Sequence, residues 1–338
     1  MHINALFFNS AGRLRSGFRL IAFTILFFLL LSAGLLATAA LLAAVLGPRT
    51  GEFWARGFGS VVQESLILLV AIISSWICGR VLEGLPFKAV GWWPHKGWLR
   101  DLLLGSLAGS VSLVLAAALA FCGGGLHFNF NLSPASEISK TLVTSIGAFL
   151  LFGAAEEALF RGYPLQTMVR ARLAWVSIIL TAGFFANAHL ENPNVVAGFT
   201  FVNTALAGVW LAVAYLRTRS LWLPLGLHWS WNWTMGAVLG LPVSGISRIT
   251  PQPLLQAAES GPHWLTGGSY GIEGGAACTV ALIISTAWLW KTRTLKASEE
   301  MLALSSGENA QPRGIILNAE KEPLISITPE FPPQPPEY

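Results

Sequence analysis

The chain holds one aspartate in 338 residues, Asp101, and only 11% of its residues are charged. Soluble domains carry about a quarter charged residues, so an ordinary soluble domain is excluded. A lone aspartate also excludes a two-aspartate hydrolase. Cysteine is scarce too. Cys78, Cys122 and Cys278 are odd in number and have no metal-ligand spacing. Neither a closed disulfide framework nor a cysteine-built metal site is expected, and each reads as a small apolar core residue. H-E-x-x-H, the P-loop and G-x-S-G do not occur. Their absence removes the usual zincin pair, a nucleotide-phosphate cradle and an intramembrane serine nucleophile.

What is present in quantity is apolar surface, with 54% hydrophobic residues and a mean hydropathy of +0.59. A membrane-spanning helix needs about 20 mainly apolar residues, and about eight stretches qualify. They lie near 20–46, 61–79, 102–122, 141–160, 174–190, 197–216, 221–240 and 271–290. The predicted fold class is all-α: a polytopic membrane protein of about eight transmembrane helices with a polar cavity inside the bundle. Lys and Arg concentrate in alternate connections, around 13–19, 80–100, 161–172, 217–219 and 291–296. This phase predicts a multi-pass protein of a bacterial-type inner or plasma membrane with both termini cytoplasmic. The net charge of +4 is dispersed, so the lipid bilayer is an expected partner and nucleic acid is not. The first apolar run is too long for a signal h-region, and a retained first span is expected. Trp92, Trp93 and Trp98 suit an interfacial belt. Three regions follow: 1–60, a basic segment with the first span and a loop; 61–294, the multi-span domain; and 295–338, a polar, Pro-rich tail expected to be disordered in the cytoplasm.

Charge inside the hydrocarbon region is costly, so its few occurrences carry the functional signal. The apolar spans contain Glu64, Glu156, Glu157, His189 and His228. Glu157 and Arg161 are i and i+4 on one helix face and can pair. Glu156 points about 100° away, free for another partner and suited to act as a general base. Phe185 and His189 share a face, and so do His228 and Asn232. The second pair has the donors to hold an oxyanion. Alternatively, Glu156, His189 and His228 form a candidate metal set of the type that suits zinc. Glu64 reads as structural, and GSLAG at 105–109 reads as a close-packing motif.

These motifs, EEALFR (156–161), FANAH (185–189) and HWSWN (228–232), stand in an order and spacing that resemble the CPBP intramembrane proteases. That family is also called the CAAX protease or Abi family and includes the type II CAAX prenyl endopeptidases. The resemblance spans about 85–240. It implies an endopeptidase, metallo- or glutamate-type, that hydrolyses a peptide bond of a membrane protein or peptide substrate. It further implies that Glu156 and His189 activate water, that His228 and Asn232 stabilise the oxyanion, and that Glu157 and Arg161 maintain the site. Zn2+ and a metal-free mechanism are both compatible with these residues. The alternatives are a non-catalytic membrane scaffold or bacteriocin-immunity-type protein, and a proton-relaying transporter. The sequence gives no oligomeric state.

For Glu156 to reach His189, the fourth helix must continue past Arg161 to about Leu173. Glu156 then lies roughly 25 Å from that end, level with His189, at 1.5 Å per residue. His228 is too shallow unless its span begins deep, for which Pro224 is the candidate cause.

Overall fold

The computed structural model describes residues 4–9, 12–55 and 58–306. Its main helices are α1 (Ser16–Leu46), α2 (Phe58–Glu83), α3 (Trp98–Cys122), α4 (Ala135–Glu156), α5 (Tyr163–Arg170), α6 (Ala174–Ala188), α7 (Phe199–Thr218), α8 (Trp222–Trp233) and α9 (Ala276–Lys291). All eight predicted stretches are helical. Five runs are long and apolar enough to cross a membrane: Ser16–Phe53, Gly59–Glu83, Trp98–Cys122, Ala135–Arg170 and Phe199–Thr218. The other three stretches form shorter helices of 15, 12 and 16 residues, α6, α8 and α9. The protein is an all-α polytopic membrane protein. Its one two-stranded sheet among the described residues pairs β1 (Leu126–Phe130) antiparallel with β2 (Leu255–Glu259), Leu126 opposite Glu259.

α1 shows why hydropathy located the spans so readily. Leu29, Leu36, Leu41 and Val45 face outward, while Phe23 and Phe27 pack inward. In lipid an apolar outer face costs nothing, so the helix needs no polar stripe.

Helices α3 and α8 approach at backbone distance, and GSLAG makes that possible. A Cβ on Gly105 would sit 2.3 Å from the Leu223 carbonyl oxygen, and one on Gly109 would sit 2.3 Å from that of Leu227. Gly226 answers from α8, where a Cβ would fall 2.3 Å from the Leu102 carbonyl oxygen. Small residues on both faces let dispersion contacts hold the pair where lipid offers no hydrophobic drive.

Two arginines read as topology signals have structural partners instead. Arg170 grips Glu83 through Nε and Nη2, both at 2.9 Å, and Arg19 Nη1 lies 3.0 Å from the same carboxylate. The triad ties α1, α2 and α5 at one end of the bundle. Trp92 and Trp98 both pack against Trp222, at ring-centroid distances of 5.5 and 4.7 Å, forming a local cluster. Cys78 and Cys278 are buried as expected, whereas Cys122 is exposed at the end of α3.

The first residues of the segment expected to be a tail pack against the bundle. Arg217 donates to the carbonyls of Thr292 and Leu295, Leu295 and Met301 are buried, and Lys88 pairs with Glu300 at 3.6 Å. Residues 295–306 therefore dock on the bundle. The Pro-rich remainder, 307–338, lies outside the described residues.

Candidate active site

The stretch EEALFRG does not end its helix at the glutamates. α4 runs to Glu156, Glu157–Arg161 form a π turn, and α5 resumes at Tyr163. The whole run, Ala135–Arg170, is of membrane-crossing length, so the glutamates sit within it. A π turn is wider than an α turn and commonly marks a functional position. Gly162 closes it with φ −67° and ψ −133°, where a Cβ would lie 2.1 Å from the Ala158 carbonyl oxygen. Only glycine fits that bend, and Pro164 restarts the helix in its first turn.

Both Glu157 and Arg161 are fully buried, and Arg161 Nη1 reaches Glu157 Oε1 at 3.2 Å. Arg161 Nη2 also donates to the Gly208 carbonyl at 3.3 Å. Its guanidinium lies 4.4 Å from the centroid of Phe185, a cation–π contact in a desolvated setting. The same Oε1 of Glu157 accepts from His228 Nδ1 at 2.9 Å. That second partner was not legible in the motif. A carboxylate that holds Nδ1 turns the Nε2 of His228 toward Glu156, whose Oε2 is 3.4 Å away.

His189 is oriented in a similar way from the opposite side. Its Nδ1 donates to the Phe185 carbonyl at 2.8 Å, which only accepts, so the neutral ring keeps its lone pair on Nε2. Nε2 lies 3.9 Å from Glu156 Oε1. The Phe185 ring sits between the two imidazoles, with centroids 4.5 Å from His189 and 6.1 Å from His228. Phe185 thus touches Arg161 and both histidines. Glu156, half-buried, faces both Nε2 atoms, and its Oε2 is buried with no hydrogen-bond partner. Such an oxygen calls for a donor from a ligand or water.

Glu156, His189, His228 and Asn232 line one cavity of about 460 Å³, with Glu157 and Arg161 packed behind it. The two histidines and Glu156 do share a depth, but Pro224 is not the reason. It occupies an ordinary first-turn position of α8. The chain leading into α8 already lies inside the bundle, with residues 218, 220 and 221 fully buried. Leu221 N donates to the Gly91 carbonyl at 3.0 Å, and Gln166 Nε2 to that of Val90 at 3.0 Å. His228 in the second turn is thereby carried to the level of Glu156.

The donor chemistry of Glu156, His189 and His228, one carboxylate and two imidazoles, is of the kind zinc takes. Among the described residues, however, no group of three or more His, Cys, Asp or Glu side chains has a metal-holding arrangement. Glu156 stands 3.4 Å from His228 Nε2 and 3.9 Å from His189 Nε2, at ion-pair range.

Other cavity residues escaped sequence reasoning. Glu273 opens the last apolar stretch and braces the cavity wall, accepting from Trp231 Nε1 at 3.0 Å and from Ser244 N and Oγ at 2.8 Å. Glu64, read as structural, faces the cavity. A single carboxylate at a span end has no periodic partner that would flag it. GGSYG, 267–271, spells G-x-S-x-G. Its Ser269 is exposed in a short 3-10 turn, without the strand-to-helix setting of a nucleophile elbow.

A membrane helical bundle with a Glu–His–His cluster lining a cavity is the class of molecule this geometry defines. Residues 138–234 match a family model described as Rce1-like, type II CAAX prenyl endopeptidase Rce1-like. That segment is an Rce1-like domain of the CPBP/CAAX protease family, and it contains Glu156, Glu157, Arg161, His189, His228 and Asn232. No curated protein and no solved structure matches the chain.

Proposed function

We propose that the chain is an intramembrane endopeptidase that hydrolyses a peptide bond of a membrane-associated protein or peptide, with Glu156 as general base. The observation that carries this reading is the unpartnered, buried Oε2 of Glu156, facing a cavity between two oriented imidazoles. A water on Oε2 gives its proton to Glu156 as the oxygen attacks the scissile carbonyl, with Nε2 of His189 as the second acceptor that orients it. The carbonyl π electrons move to oxygen. That oxyanion is met by the Asn232 amide and by His228, which in its imidazolium form donates through Nε2. Collapse of the tetrahedral species expels the amine, which takes the proton held by Glu156. Glu157 and Arg161 act through His228 and through Phe185.

Were zinc resident, Glu156, His189 and His228 would hold it, and it would supply Lewis acidity to the water and the carbonyl. Metal analysis of purified protein and turnover after chelation decide between the two forms. The same reading has the protein in a cell membrane with both termini cytoplasmic.

Hydrolysis itself is tested by incubating purified protein with a panel of prenylated and unmodified membrane peptides in H2(18)O. One 18O atom in the new carboxyl terminus, read by mass spectrometry, is the expected result. Intact peptides throughout the panel would overturn the reading.

A further inference from the structure

Ser60, Gln63, Glu64 and Ile67 stand at i, i+3, i+4 and i+7 on α2 and present one helix face to the cavity. This helix lies outside the Rce1-like segment. Glu64 differs from four other carboxylates of the bundle. Glu83 has Arg170 at 2.9 Å, Glu157 has Arg161 at 3.2 Å, Asp101 has His95 at 3.6 Å, and Glu273 has Trp231 at 3.0 Å. Among the described residues, no hydrogen bond or ion pair reaches Glu64. Arg248, the cavity's one arginine or lysine among its lining residues, is held at the rim by the Ser60 hydroxyl at 3.0 Å and makes no ion pair with Glu64.

Two carboxyl groups face one membrane cavity, and one of them has no partner among the described residues, which leaves a place for a cationic group that the protein does not itself fill. We propose that Glu64 is the point at which the cavity recognises a positively charged group of its peptide, a Lys or Arg side chain or a free amino terminus, beside the bond that the Glu156-activated water attacks. The proposal rests on the hydrolytic reading of the cavity. It makes α2 a specificity element, contributed by a part of the chain that the catalytic motifs do not reach.

The test uses one membrane peptide with Lys, norleucine or Glu at each position around the cleavage site, each with a free or acetylated amino terminus. Cleavage is measured with the full-length wild type, Glu64→Gln and Glu64→Lys. The same peptides are also titrated onto Glu156→Gln protein, alone and combined with each Glu64 change, so that ranking is read without turnover. At one position the wild type is expected to favour Lys over norleucine about tenfold, the scale of one close charge pair. Glu64→Gln brings that ratio to about one, and Glu64→Lys inverts it toward the Glu peptide, an inversion that misfolding cannot produce. A preference for free over acetylated peptides, lost in Glu64→Gln, assigns the cation to the amino terminus instead. A ranking identical in wild type and Glu64→Gln, or a Glu64→Gln loss equal for all peptides, overturns the proposal. Absent turnover with a Glu64-dependent binding rank would refute the hydrolytic reading and leave the cation site standing.

Discussion

Glu157 serves two partners with one oxygen, since Oε1 accepts from Arg161 at 3.2 Å and from His228 Nδ1 at 2.9 Å. The arginine fixes the carboxylate, and the carboxylate fixes the ring. Glu157→Gln keeps the volume but weakens both bonds and frees His228 to take the other tautomer. The expected outcome is a fall in kcat of about 10²-fold or more with KM little changed, by analogy with the loss of an orienting carboxylate behind a catalytic histidine. Steady-state cleavage assays on folded protein check it, and an unchanged kcat would remove Glu157 from the orienting role. The Glu157–Arg161 pair was legible because helical periodicity puts i and i+4 on one face. The Glu157–His228 bond joins residues 71 apart in sequence, and no local period encodes it.

At the scale of elements, GSLAG changes meaning. Its spacing was readable, but its partner was not, because a small-xxx-small stripe names no opposing helix. The structure sets it against α8, the helix that carries His228 and Asn232. Packing in α3 therefore sets the position of the site. At Gly109 even one methyl would meet the Leu227 carbonyl and the Ser230 hydroxyl at 2.3 Å. Gly109→Ala is expected to cost about 1–3 kcal/mol, as overpacking does, and to lower turnover by displacing His228. Gly147→Ala on α4 is the control, since its added Cβ meets nothing within 4 Å. Thermal unfolding and cleavage rates measured side by side test this, and equal behaviour of the two variants would contradict it. The π turn was likewise illegible, since EEALFRG reads as continuous helix until the Gly162 bend is seen.

For the whole molecule, hydropathy sufficed to mark eight of the main helices, because lipid requires uninterrupted apolar runs and closed backbone hydrogen bonding, while α5 lies outside those runs. Hydropathy and charge phase did not reveal which basic residues are buried. Arg19 and Arg170 counted toward topology, yet both meet Glu83 between helices. The proposed orientation is therefore tested directly. In a background with Cys122→Ser, a cysteine at the exposed Ser269 is expected to react with a membrane-impermeant thiol reagent on intact cells. A cysteine at the exposed Lys96 is expected to react only after permeabilisation. The reverse pattern would invert the topology.

The central claim is that one carboxylate, Glu156, performs the proton transfer between two imidazoles. The most direct measurement is kcat/KM of purified wild type and Glu156→Gln on the same cleaved membrane peptide, with equal peptide binding verified. The glutamine keeps shape and removes the base, so a loss of at least about 10²-fold is predicted, the lower end for a positioned general base. Cleavage by Glu156→Gln at the wild-type rate would contradict the account.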